Sequence, residues 1–246
     1  LKAFGIKKGD EIITTPMSFV ATSNVIMHVG AKPIFVDVDY KTGNMDINLI
    51  ESKITKKTKA IFIVHLYGQM CDIISIKKIS KKHGLLLLED AAHCIEGEYR
   101  KIRPGQISDA AIFSFYATKN ITSGEGGAII TNNKKINDKL RRLRLHGISN
   151  NFSERYNKKF KHWDMAELGY KCNMSDIQAS ILLPQIKKIN SLHKKREKIY
   201  RHYLKKLSDC KKISFFDYIK NSKHARHLMP IKVNAKNRDL IVRELE

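Results

Sequence analysis

The chain is poor in every feature that would set it apart from an ordinary globular enzyme or binding domain. It has only four cysteines (Cys71, Cys94, Cys172 and Cys210), set far apart with no C-x-x-C pair. Such spacing offers neither a disulfide framework nor a zinc-ligand pattern, so no metal site is expected. A reducing, cytoplasmic setting is the simpler expectation. Glycine (13 residues) and proline (5) are too scarce for a collagen-like or low-complexity chain. Long apolar runs are missing as well. Those present, such as Leu85–Leu88, have strand length, far from the roughly 18 residues a spanning helix needs, so no membrane insertion is expected.

Acidic residues are also in short supply, with 24 Asp and Glu against 46 Lys and Arg, a net charge of +22. The excess is uneven: residues 1–130 hold 17 basic and 13 acidic residues, residues 131–246 hold 29 and 11. A field of that sign raises the local concentration of anions. Nucleic acid would need aromatic side chains interleaved with the basic ones as stacking platforms. The basic residues lie instead on helical stretches such as Lys194–Lys198. Solvated faces plus a small anionic ligand is the favoured reading, and nucleic acid is not expected as a partner.

What is present is alternation of short apolar runs with helical patterns, in a chain long enough for one or two domains. Strands are predicted at 11–16, 33–39, 60–66, 85–90, 110–115 and 128–131. Helices are predicted at 19–29, 46–54, 73–83 and 134–145. This is an α/β pattern, a mostly parallel sheet with helices on both faces. An irregular stretch follows from 147 to about 172, then capping residues Asn173–Asp176 and a long helix from Ile177 to about Leu207. Strands at 213–216 and 228–233 suggest a second, smaller α+β unit. The expected division is 1–190 and 191–246. The chain opens on Leu1 rather than Met and closes within a helical pattern, so a piece cut at both ends is expected.

Two places look able to carry chemistry. The strand Leu85–Leu88 delivers Glu89-Asp90-Ala91-Ala92-His93 at its carboxyl end, where open α/β sheets bind ligands. Residue type alone leaves Asp90 equally suited to cap a helix. Further on, Ser114–Lys119 runs from a strand into the turn Ser123-Gly124-Glu125-Gly126-Gly127. The order fits neither a Walker loop nor a dinucleotide fingerprint. A lysine held at a sheet edge and partly desolvated can form a Schiff base, although position alone favours an ordinary surface lysine.

Together with Pro16–Thr22, Phe35–Asp39, Val64–Gln69 and Leu168–Ala179, these segments make the whole chain resemble the DegT/DnrJ-type sugar aminotransferases. That family comprises pyridoxal-phosphate enzymes of fold-type I, the aspartate aminotransferase-like class. The resemblance implies a Schiff base between cofactor and Lys119, which would also shuttle the substrate proton. It implies Asp90 on the pyridine nitrogen, His93 at the phenolic oxygen, Ser114 on the phosphate and Phe19 stacked on the ring. Asn173 would reach the phosphate from the other subunit of a homodimer. His65, Tyr67 and Glu125 carry weaker warrants, and Cys94 and Cys172 depart from the residues common in relatives. A phosphate-cradling turn upstream of Leu1 and most of a small domain beyond Glu246 are expected to be missing.

The activity so implied is transfer of an amino group from glutamate to a nucleotide-linked keto-sugar, for polysaccharide, lipopolysaccharide or another glycosylated product. Two rivals remain: a sugar dehydratase, which would carry His where Lys119 stands, and a catalytically silent regulator or nucleic-acid binder that exploits the basic half.

Overall fold

The computed structural model describes residues 1–148 and 164–246. Most of the irregular stretch expected after Gly147 therefore lies outside the described residues.

The elements are, in chain order, β1 (Glu11–Thr14), α1 (Ala21–His28), β2 (Lys32–Phe35), β3 (Thr58–Val64), α2 (Ile73–Lys82), β4 (Leu86–Asp90), β5 (Glu98–Tyr99), β6 (Ala110–Ser114), β7 (Gly127–Ile130) and α3 (Lys134–Leu143). Beyond residue 164 come α4 (Asp176–Leu207), β8 (Ile213–Phe215), β9 (Ser222–Lys223), β10 (Ile231–Val233) and α5 (Arg238–Leu245).

Six strands form one sheet in the order β2-β1-β3-β4-β6-β7. Every pairing is parallel except β6 with β7, which is antiparallel. Alternation along β3 sorts side chains between the two faces. Ile61 and Ile63 pack with Ile13, Leu87 and the Ile73 and Ile76 face of α2. Ala60 and Phe62 pack with Ile12, Leu88 and Ile26 of α1. Helices on both faces leave β4 without an exposed side, which is why it opens on the apolar run Leu86–Leu88.

The register sets the carboxyl ends of β3 and β4 level, with Val64 opposite Asp90, while Asp90 lies opposite Ile112, two residues before the end of β6. Segments that leave β3, β4 and β6 therefore start along one edge of the sheet, β6 two residues further out.

Helix α4 opens with a capping box: Ser175 Oγ accepts from the Gln178 amide, and the Gln178 side chain accepts from the Ser175 amide. Its flank is pinned to the β6–β7 connection, where Gln185 exchanges two hydrogen bonds with the main chain of Thr122 (2.7 and 3.0 Å). The expected boundary at 190/191 falls inside this unbroken helix. After α4 the chain returns to the main body, where β9 pairs with β5 and Ala225 enters the core cluster under α2. The β8–β10 pair is a separate two-stranded antiparallel unit.

Two sequence expectations are corrected. Residues 46–54 form two short 3-10 turns, Ile47–Leu49 and Glu51–Lys53, rather than a helix. Fully buried Ile50 anchors the junction, and Ile54 is already extended. The strand expected from Leu228 begins only at Ile231, just past Pro230, which has no amide to donate to a ladder.

Candidate active site

Asp90 ends β4, and its carboxylate is held on both oxygens. Oδ2 accepts from the Thr22 hydroxyl at 2.8 Å, and Oδ1 from the Ala92 amide at 3.1 Å. Thr22 is buried and in turn shares a hydrogen bond of 2.8 Å with Ser18. No helix starts after Asp90, so the capping option left open by residue type does not apply.

Its neighbour Glu89 points the other way and is fully buried. It is satisfied by His65 Nε2 at 2.6 Å, the Gly105 amide at 2.7 Å and the Ser108 hydroxyl. The Cys71 amide donates to the other nitrogen of His65 at 3.2 Å, and the His65 amide donates to the Asp90 carbonyl at 3.0 Å. His65 is thus a brace between the ends of β3 and β4, and burial with full hydrogen bonding is the usual condition of such a polar pair.

Lys119 lies in the connection between β6 and β7. The base of that loop is closed by three hydrogen bonds: Phe115 amide to Gly126 carbonyl (2.8 Å), Ser123 amide to Phe115 carbonyl (2.9 Å) and Thr122 hydroxyl to Phe115 carbonyl (3.1 Å). Inside it, the Lys119 amide donates to the Tyr116 carbonyl at 3.0 Å. Partial burial lowers the pKa of the Lys119 amine, and the nearby Asp90 carboxylate works in the opposite direction. An amine in that balance keeps a larger neutral, nucleophilic fraction than a solvated lysine.

His93 follows three residues after Asp90. Burial, with the charge of Lys119 beside it, pulls its pKa down to about 4. Its ring is therefore neutral at pH 7. Its Nδ1 is buried with no partner among the described residues, while the ring stacks on His227 with centroids 4.3 Å apart.

The remaining expected residues fall at the same edge or beside it. Ser114, the last residue of β6, is half-buried, and its Oγ accepts from the Tyr116 amide at 3.3 Å. Phe19 is 72% exposed and precedes α1 rather than lying on a buried helix face. Its carbonyl accepts from the amide of Thr22, the residue that holds Asp90 (3.1 Å). Asn173 is exposed, two residues ahead of the α4 cap Ser175, and makes no hydrogen bond to Asp90 or Lys119 among the described residues. Its neighbour Met174 packs against the Phe115–Ile121 cluster. Asp90, Lys119 and His93 are thus brought together, with Ser114 at the adjoining strand end, Phe19 linked through Thr22, and Asn173 left facing outward.

Three residues escaped the reading of the sequence: Thr22, Asn120 and His227. Thr22 stands inside the segment Pro16–Thr22, where only its polar type could have marked it. Nothing in the sequence marks His227, one of ten histidines, until the fold lays it on His93.

The chain matches the DegT/DnrJ/EryC1/StrS aminotransferase family over residues 1–246. SpsC of Bacillus subtilis (strain 168), a spore coat polysaccharide biosynthesis protein, is 40% identical over 96% of this chain and 61% of its own length. PseC of Helicobacter pylori, an aminotransferase involved in the biosynthesis of pseudoaminic acid, is 33% identical and superposes with a TM-score of 0.89 over 97% of this chain and 63% of its own. Spr1654 of Streptococcus pneumoniae, solved in its PLP form, is 31% identical with a TM-score of 0.88, over 100% of this chain and 66% of its own. The chain spans 61–65% of the length of the curated relatives it matches. With the match complete from the first residue to the last, the chain belongs to the DegT/DnrJ/EryC1/StrS aminotransferase family.

Proposed function

We propose that the protein is a pyridoxal-phosphate-dependent aminotransferase. It moves an amino group from glutamate onto a nucleotide-linked keto-sugar and so supplies an amino sugar for polysaccharide or lipopolysaccharide synthesis. The observation that carries this reading is the partly desolvated amine of Lys119 beside the doubly anchored carboxylate of Asp90.

The residues present suit this cofactor. Lys119 would hold its aldehyde, Asp90 its ring nitrogen and Ser114 its phosphate. His93, which has a buried nitrogen still lacking a partner, would hold its phenolic oxygen. Phe19 offers an exposed aromatic face for stacking. When bound, pyridoxal phosphate supplies an aldehyde carbon and a ring that draws electrons from the carbon bearing the nitrogen.

The protein's own groups would do the rest. Thr22 and the Ala92 amide keep the Asp90 carboxylate from rotating, so its charge is already oriented before anything binds. The Lys119 Nζ would be the group that takes a proton from the substrate carbon and holds it for return. Its lowered pKa leaves a larger share of the amine neutral and so free to accept a proton. His93 stays neutral and can donate a hydrogen bond without adding a third charge beside Lys119 and Asp90.

A homodimer with shared sites is part of the proposal, with outward-facing Asn173 serving the neighbouring subunit. The basic surplus suits a diphosphate-bearing acceptor. No described helix is long and apolar enough to cross a membrane, and we place the activity in the cytoplasm.

The test is transfer of ¹⁵N from labelled glutamate, followed by mass spectrometry, across nucleotide-linked keto-sugars and their free counterparts, with alternative amino donors as comparison. Label in the nucleotide-linked products, strongest with glutamate, is expected. Label in the free sugars alone, or in none, would overturn the substrate assignment.

A further inference from the structure

Glu96, Asn120, Arg196 and His227 come from four separate stretches of chain and meet beside Lys119. Arg196, on α4, pairs with the buried Glu96. Asn120 Nδ2 donates to Glu96 Oε2 at 2.7 Å and to the Ala225 carbonyl at 3.0 Å. With its amide hydrogens so engaged, Asn120 presents its Oδ1 to His227 Nδ1 at 3.0 Å. An amide oxygen can only accept, so Nδ1 of His227 carries the hydrogen. The ring also stacks on His93, with planes 27° apart.

The main chain around His227 is equally fixed. The amides of His227 and Leu228 converge on the Tyr67 carbonyl at 3.2 and 3.4 Å, and the Ala225 amide donates to the Gly68 carbonyl at 2.7 Å. Tyr67 holds φ at 56°, an uncommon left-handed conformation for a bulky residue. A non-glycine residue held there is over-determined by its surroundings.

We propose that His227 is a positioning residue for the site around Lys119: its Nδ1–H holds Asn120, the residue next to Lys119, and its ring fixes the plane of His93. The role rests on the assignment of Lys119 and His93 made above. It links the C-terminal stretch of the chain to the reacting lysine, because the ring arrives only when residues 225–228 dock against Tyr67 and Gly68. The charged and titratable groups that act on the ring are His93, Lys119 and Arg196, with Glu96 reached through Asn120. Burial first, then His93, Lys119 and Arg196, lowers the His227 pKa to about 3, which keeps the ring neutral. A charged ring at that place would repel the Lys119 amine.

The test uses the whole protein, labelled with ¹⁵N in its histidine rings, first without added cofactor. The wild type is expected to show His227 as the Nδ1–H tautomer and His93 titrating well below the value of about 6.5 that an ordinary histidine has. His227→Asn removes the stacked ring and is expected to raise the His93 midpoint by a unit or more. His227→Phe keeps the stack and is expected to leave it low. An Nε2–H tautomer in the wild type, which needs no variant, would overturn the proposal. So would an unchanged His93 midpoint in a folded His227→Asn protein.

Added pyridoxal phosphate gives a second readout. His227→Phe frees Asn120, so the pH midpoint of the Lys119-dependent visible band is expected to move, and an unmoved midpoint contradicts the link to Asn120. Absence of that band in the wild type would instead sink the proposed function, with the tautomer and the His93 titration still deciding the role of His227.

Discussion

The hydroxyl of Thr22 donates to Asp90 Oδ2 across 2.8 Å, tying the first turn of α1 to the carboxyl end of β4. The two residues are 68 apart in sequence, and the bond forms only because the two parallel strands carry both segments to one edge. Thr22→Val keeps the branched shape and deletes the donor, leaving Asp90 Oδ2 and the Ser18 hydroxyl without their partner. Hydrogen bonds to charged groups contribute about 1.5–3 kcal/mol, so a urea denaturation is expected to show a loss in that range. Transamination should fall on the order of tenfold, since misorientation of the carboxylate by roughly 1.4 kcal/mol is enough. A variant of unchanged rate would show that Asp90 does not need Thr22.

Acid sensitivity should begin near neutrality. Burial lowers the pKa of His93 to about 4 and of His224 and His227 to about 3. Each binds its proton more readily in the unfolded chain, where histidine titrates at about 6.5. Their neutral forms therefore favour the fold above that pH, and stability drains away as pH falls from about 6.5 towards their folded values. Glu89 and Glu197, whose pKa values are lowered, act only further down, below about 4.3. Calorimetry at pH 5 should find uptake of about three protons on unfolding from these histidines, with a lower Tm than at pH 7.5. A Tm that does not move between those two pH values would contradict the burial of the three rings.

Gly126 closes the loop that carries Lys119 and has φ of 155°. A Cβ there would lie 2.6 Å from Met174 Cε and 2.7 Å from Ser123 Oγ. Gly126→Ala is expected to push Met174 off the Phe115–Ile121 cluster and disturb the entry to α4, at a cost of roughly 1–3 kcal/mol from overpacking. Gly124→Ala meets no atom within 4 Å and is limited by its φ of 77° alone, so it should cost less. Equal losses at the two positions in a thermal melt would mean that contact with Met174 plays no part.

Parts of this arrangement are legible in the sequence for physical reasons. The run from Leu85 to Leu88 announces a strand buried on both faces because no side of it is polar, and the carboxylates that follow it, Glu89 and Asp90, mark the ligand edge. Lys119 and Asp90 could be singled out together only through the order and spacing of whole motifs. The two-residue strands β5 and β9 were hidden, since Glu98 pairs with Lys223 by main-chain hydrogen bonds that leave no apolar period. The antiparallel direction of β7 was equally hidden, because a short apolar strand reads the same either way. His227 was invisible, since its importance lies in a ring contact with His93, 134 positions away, made when residues 225–228 fold back on Tyr67.

The central claim is that the Lys119 amine is the covalent anchor of pyridoxal phosphate in an aminotransferase. Its most direct test is the visible absorbance of the protein with added pyridoxal phosphate, before and after glutamate, beside Lys119→Ala. A band is expected in the wild type that glutamate bleaches and that Lys119→Ala lacks. A folded wild-type protein with no band, or a band that Lys119→Ala retains unchanged, would contradict it.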